Sequence, residues 1–416
     1  MKNSTRAFVC LIVLALFIAV ACQPAPTPSA TPTAAPTPSP TPRATPTPVG
    51  PVVRIAVAAA LTGEQRDLGE AIRNAAQLAV KQSGKPIQDA GYNLVVAPYD
   101  DQARADTGVS NAKKIAGDPE VMVVIGHLNS NVTLAALDSY KDAHLAVISP
   151  ANTDPKLSLR GVANFNRVIG RDDLQGPSAA ELAAKELKAK AVFVIADKTT
   201  FGAATAQAFR ARATTLGLNI VGYETAPDGG NYDALINAIT AAKPDLIYFS
   251  GAYNPAAAFL KSARAKNVKA IFLAPETIDF AEFARLAGDD AVGVYYGTPV
   301  GQVDDYPDAA KFARDYRAEF NKAAEVYAAQ AYDAAGLAIQ AIAGTLKSGS
   351  KPTRQAVAEA IRATKNYKGV TGNLSFDANG DLTTAKYFFF QVTSADPQKW
   401  LENKLFKTLE LAPTLP

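Results

Sequence analysis

Cysteine is almost absent from this chain of 416 residues: only Cys10 and Cys22 occur, both near the N-terminus. Residues 52–416 therefore carry no disulfide, no thiol nucleophile and no thiolate metal site. Histidine is as scarce, with only His127 and His144, which excludes a histidine-rich metal centre. Acidic residues are missing from the first 51 positions, where Lys2, Arg6 and Arg43 lie. The formal charge of +3 thus becomes 3 − 3 = 0 for the remainder, which argues against nucleic-acid binding through bulk charge. Neither a G-x-G-x-x-G dinucleotide loop nor a G-x-S-x-G nucleophile elbow is present. With no general base, metal cluster or cofactor motif, an enzyme is not expected and no cofactor is required.

What the first 51 residues do contain is ordered by polarity. Lys2 and Arg6 precede an apolar run of 14 residues, Ala7 to Val20. That is short for a bilayer span of about 20 residues and suits the core of a secretory signal. Ala19, Val20 and Ala21 lead directly to Cys22, an arrangement that resembles a bacterial lipobox, with Ala19 where a leucine is more usual. The resemblance implies cleavage after residue 21 and lipid attachment at Cys22. An uncleaved anchor and a secretory signal without lipid are the other readings. From Pro24 to Pro51 the chain is almost entirely Pro, Thr, Ala and Ser. It cannot bury a core, and its prolines favour a polyproline stalk that could extend on the order of 80 Å. Residues 1–21 are thus expected to be a signal peptide and 22–51 a lipid-anchored linker.

The remaining 365 residues exceed one typical domain, so two lobes are expected. Short β-branched runs alternate with amphipathic stretches. Strands are expected at Val52–Ala59, Leu94–Tyr99, Val121–Ile125, Leu145–Ser149, Ala191–Ala196, Asn219–Tyr223, Leu246–Ser250 and Ala270–Leu273. Helices are expected between them, as at Glu70–Gln82, Asn131–Asp142 and Leu174–Leu187. Continuous apolar strands separated by helices mean parallel sheets covered on both faces: an α/β, doubly wound architecture that binds ligands at the carboxyl ends of strands. A hairpin is expected late in the chain, from Leu374–Phe376 through Asp377–Asp381 to Tyr387–Val392, with too few oxygen ligands for a calcium loop.

The strand-end loops therefore carry the candidate chemistry. Gly63 and Gly69 bracket the first. The third, Gly126-His127-Leu128-Asn129-Ser130-Asn131-Val132-Thr133, opens a helix with hydroxyl and amide side chains. Helix-start N–H groups with Ser130 and Thr133 could cradle a carboxylate, although ordinary N-capping would explain the same residues. Ser149-Pro150-Ala151-Asn152-Thr153 ends the next strand, and Asp197 to Gly202, Gly251 to Pro255 and Ala274 to Thr277 end three strands of the second half. Hydroxyls gather in one half, and Phe201, Tyr253 and Glu276 in the other. A carboxylate facing an anion cradle suits a zwitterion. His127 reads as a loop-packing residue. Asp100 and Asp101, adjacent on a strand, should point to opposite faces rather than act as a pair. Tyr327 and Tyr332 read as core or rim, with site membership left open.

Together these motifs resemble the leucine/isoleucine/valine-binding proteins of ABC transporters, with the type I periplasmic-binding fold. The carriers are Leu61-Thr62-Gly63, Tyr99-Asp100-Asp101, Gly126-His127-Leu128 with Ser130, Ser149 to Thr153, Asp197-Lys198 with Phe201-Gly202, Gly251-Ala252-Tyr253, Pro275-Glu276, and Gly372-Asn373-Leu374 with Gly380-Asp381-Leu382. The resemblance implies two Rossmann-like lobes joined by a multi-strand hinge: 52–168 with 299–369, and 169–298 with 370–410. Hinge strands are expected near Asn166–Gly170, Gly297–Val300 and Lys368–Gly372. Ser130, the backbone at Ala151, and Thr153 would hold the ligand's carboxylate and assist its ammonium. Glu276 would pair with the ammonium and Tyr253 would lie against the ligand. Leu68 stands where the family often has an aromatic, and Phe201 where it has a tyrosine, which changes the side-chain pocket. The family's disulfide near Gly126 is missing. A monomer is expected, held outside the membrane, that delivers a small amino acid to an ABC permease and its ATPase. A sensor docking to a membrane signalling partner is the alternative.

Overall fold

A computed structural model of the chain describes residues 50–346 and 350–413. The expected signal segment, Cys22 and the linker before Gly50 lie outside the described residues.

The first sheet is built from β1 (Val52–Ala59), β2 (Asn93–Asp100), β3 (Val121–Gly126), β4 (Ala146–Ser149) and β5 (Phe165–Arg167), all parallel, in the order β2-β1-β3-β4-β5. In β1, Val53, Ile55 and Val57 enter one apolar cluster while Ala56 and Ala58 enter another. The two-residue period of a strand thus buries both faces, as a helix-covered parallel sheet requires. The second sheet contains β6 (Ala191–Ala196), β7 (Asn219–Thr225), β8 (Leu246–Ser250), β9 (Ile271–Ala274) and β10 (Tyr295–Thr298), parallel to one another. A small pair, β11 (Tyr367–Lys368) with β12 (Asn373–Leu374), precedes β13 (Ala385–Gln391) and β14 (Lys404–Leu411). Both of the last strands join the second sheet antiparallel, giving β14-β13-β10-β9-β8-β6-β7.

The expected hairpin is therefore wrong in its partners. Only a bridge from Phe376 to Leu382 closes that turn, and β13 pairs with β10 and β14 instead. The aromatic run Tyr387 to Phe390 explains the choice: these side chains are buried in the large core, which a two-stranded ribbon could not offer.

The chain passes between the sheets three times. The first passage follows β5, and the second follows β10, leading to the helix Ala328–Thr345, which packs on the first-sheet helix Arg66–Ser83. The third lies at 382–384, later than the expected Lys368–Gly372, so the segment from 370 to 381 stays with the first sheet. Val370 and Thr371 donate backbone N–H groups to Asp333, and Arg167 donates its own to the Gly380 carbonyl. A buried cluster joins the passages: Arg167 and Arg171 both bond Asp381, at 2.7 and 2.8 Å, and the Tyr387 hydroxyl donates to the Arg171 carbonyl at 2.7 Å.

Two glycines let the strand-end loops close up. A Cβ on Gly69 would stand 1.8 Å from the Ala60 carbonyl oxygen, and one on Gly126, at φ +137°, would stand 2.0 Å from that of Ala58. No other residue type fits these approaches.

Candidate functional site

The carboxyl ends of both sheets supply the loops of interest. In the first sheet, Asn152 ties two of them together. Its amide donates to the carbonyls of His127 and Leu128 at 2.9 and 3.0 Å, and its oxygen accepts from the Thr133 hydroxyl at 2.6 Å. Ser130 begins the helix Ser130–Asp142, where first-turn N–H groups lack acceptors within the helix. The clamp therefore holds that helix start beside Ala151 and Thr153. Behind it, His127 is fully buried, with Nδ1 2.7 Å from Asp101 and Nε2 2.9 Å from the Tyr140 hydroxyl. His127 is thus the packing residue expected, and it joins the loops after β2 and β3. Asp100 turns the other way, accepting from Leu61 N–H at 2.8 Å and the Thr62 hydroxyl at 2.6 Å.

In the second sheet the loops after β6, β8 and β9 are neighbours. Asp197 organises two of them, accepting from Thr199 and from the Ala252 N–H at 2.9 Å. Added Cβ atoms on Gly202 or Gly251 would collide with its carboxylate. The motif residues around Phe201 and Tyr253 thus serve local packing first.

A cavity of 450 Å³ lies where these loops meet the interlobe passages, within the usual range of small-molecule sites. Leu68, Thr153 and Tyr327 line it on one side, and Glu276, Thr277, Asp279 and Phe280 on the other. Of the sequence candidates, Leu68, Thr153 and Glu276 are brought together. Ser130, Ala151, Phe201 and Tyr253 do not line this cavity. Ala151 is buried beside Thr153, Ser130 is half-buried on the adjoining loop, and Phe201 is half-buried at the start of its helix. Tyr253 stands one layer back, its ring 5.4 Å from that of Phe280. Tyr327 is a lining residue, whereas Tyr332 bonds Gln82 on the surface.

A hydrogen-bonded line crosses the cleft. The Thr153 carbonyl accepts from Asp172 N–H at 3.0 Å, Gln175 donates its amide to the Asp172 carboxylate at 3.0 Å, and its oxygen accepts from Glu276 N–H at 3.2 Å. Burial, aggravated by the neighbouring Asp172 carboxylate, pushes the Glu276 carboxyl up to about 8. Asp172 is raised as well, mainly by burial. Among the described residues neither makes an ion pair with a basic side chain. Asp279, also raised by burial, is already satisfied by the Trp400 indole N–H at 2.8 Å. The strand-end pattern gives no signal for Asp172, Gln175 and Asp279, because the first two follow only the three-residue β5 and the third follows a helical turn. The Q-G pair at Gln175-Gly176, opening a helix just after the first passage, was the available signal.

Comparison with known proteins places this geometry. Residues 52–397 match the periplasmic binding protein family. The chain belongs to that family. It is 30% identical over 341 residues to a leucine-, isoleucine-, valine-, threonine-, and alanine-binding protein of Pseudomonas aeruginosa, covering 82% of this chain and 89% of that one. Identity to a Leu/Ile/Val-binding protein of Rhizobium johnstonii is also 30%, over 82% and 91% of the two chains. Among solved structures, a branched-chain amino acid ABC transporter protein from Rhodospirillum rubrum superposes with a TM-score of 0.71 at 26% identity, covering 85% of this chain and all of the other. The isoleucine-bound LivJ of Streptococcus pneumoniae, at 23% identity and TM-score 0.64, shares the fold, with 87% and 100% covered. The fold is the two-lobed type I arrangement, in a family of binding proteins rather than enzymes, whose place is outside the cytoplasm. Among the described residues no helix is long and apolar enough to cross a membrane.

Proposed function

We propose that this protein is the solute-binding component of an ABC importer, and that it captures a small amino acid with an aliphatic, branched-chain type of side chain. The observation that carries the reading is Glu276, which lines the cleft cavity beside Asp172 and, among the described residues, makes no ion pair with a basic side chain. A ligand ammonium supplies that charge, and Thr153 meets the ligand from the other lobe. Ser130 and the backbone at Ala151 receive the carboxylate once the lobes close, a hinge motion about the three passages. Leu68, Phe201 and Tyr253 then form the wall around the side chain. The names of the relatives point to the same ligand class. Lipid attachment at Cys22 keeps the monomeric protein near the permease and ATPase that receive its solute.

Calorimetric titration of the full chain in detergent with single amino acids tests this. Leucine, isoleucine or valine should bind with one site per chain. Absence of binding by every α-amino acid would overturn the proposal.

A further inference from the structure

The amino ends of the two sheets, away from the cleft, treat their cations differently. At the first sheet Arg54 bonds Asp118 at 3.0 Å and also Glu120, and Lys85 bonds Asp89 at 2.6 Å. At the second sheet a cavity of 240 Å³ opens beside the starts of β8 and β9. Lys243, Lys266 and Lys269 line it, and no carboxylate does. Among the described residues Lys243 and Lys269 make no ion pair, and only Lys266 reaches an acid, Asp233, at 2.5 Å. The neighbouring Asp245 is engaged by the N–H groups of Lys190 and Ala191 at 2.8 and 2.9 Å.

The lysines are held where they are. Arg264 donates to the carbonyls of Val268 and Ala270, which fixes the turn that carries Lys266 and Lys269. Lys243 ends the helix Asp233–Ala242 at φ +49°, a left-handed position that favours glycine or asparagine. A single exposed lysine is satisfied by water. Three around one cavity repel one another, and an anion among them removes that repulsion. Behind the lysines the lining turns apolar, with Ile239, Val268 and Ala270. An inorganic anion would use only the cationic rim, whereas an anion joined to hydrocarbon uses both. The cavity is smaller than the usual small-molecule site, so it suits a head group rather than a whole solute.

We infer that this groove receives the phosphate of an anionic phospholipid, so that the amino end of the second sheet rests on the membrane surface. The cleft lies at the other end of the same strands and stays open to solute. The expected linker, extending on the order of 80 Å against a radius of gyration of roughly 21 Å for a head of this size, spans that distance.

Amine-reactive labelling of the full chain, read lysine by lysine by mass spectrometry, tests this on vesicles of phosphatidylcholine with and without phosphatidylglycerol. Flotation with the neutral vesicles reads the N-terminal anchor separately. The expected result is at least threefold slower labelling of Lys243, Lys266 and Lys269 on the anionic vesicles, reversed by high salt, with Lys85 unchanged. In a Lys243→Gln, Lys269→Gln double variant, which alters two exposed side chains, Lys266 should label equally on both vesicles. Equal labelling of the three lysines on both vesicles in the wild-type protein, or equal protection of Lys85, would overturn the proposal. Protection by glycerol phosphate without vesicles, as strong as that by the anionic vesicles, would overturn the membrane as the source of the phosphate.

Discussion

Two acidic clusters, a buried one at the hinge and a half-buried one at the cleft, are treated in opposite ways. At the hinge, Asp381 is 2% exposed and accepts from Arg167, Arg171 and the Ser158 hydroxyl at 2.7, 2.8 and 2.9 Å. Arg167 spends its other N–H groups on the carbonyls of Asn152 and Asp154 and on the Ser158 hydroxyl. Every charge there has a partner inside the molecule. At the cleft, Glu276 bonds the neutral Gln175, and burial and the Asp172 carboxylate push its carboxyl upward, while Asp172 is raised by burial and only partly eased by Thr153, Gln175 and the more distant Arg167. The chain can neutralise a buried carboxylate when stability is what matters. Where it does not, the missing cation belongs to the ligand.

The comparison predicts distinct consequences. Asp381→Ala strands the wholly buried Arg167, while Arg171 keeps Asp173, and should cost about 3–5 kcal/mol in urea denaturation. A loss well under 1 kcal/mol would remove the contrast. Glu276→Gln should leave the denaturation midpoint unchanged or higher, since a carboxyl already disfavoured by burial is made permanently neutral. The same variant should weaken amino-acid binding by about 1.5–3 kcal/mol, roughly 10- to 100-fold in calorimetry. Tyr140→Phe supplies a neutral baseline. Losing its hydrogen bond to His127 should cost on the order of 1 kcal/mol of stability, with the Asp101 contact retained.

What could be read from the residues follows the same division between local and distant. The βα units and the loops ending β1, β4 and β9 announce themselves by apolar runs, which is why Leu68, Thr153 and Glu276, now seen lining one cavity, stand among the sequence candidates. Asp172 lies in a passage where no periodic pattern runs, Gln175 only opens the helix that follows it, and Trp400 reaches the site from a short turn near the C-terminus. β5 and β12, of three and two residues, are too short to carry a period, and β14 is a half-exposed edge strand. The late third passage was hidden for a related reason. Gly380 and Asp381 look like an ordinary turn until Arg167, more than 200 positions earlier, is seen to hold them.

The central claim is that the ligand's ammonium neutralises Glu276, and proton counting tests it most directly. The Glu276 carboxyl, near 8 without ligand, is mostly protonated at pH 7 and must ionise to meet an ammonium. Binding should then release protons near neutral pH, and affinity should rise with pH towards about pH 8. The measurement is calorimetric titration of leucine in buffers of different ionisation enthalpy. The account predicts net proton release by the wild-type protein and clearly less by Glu276→Gln. Leucine binding with no proton release by the wild-type protein would contradict it.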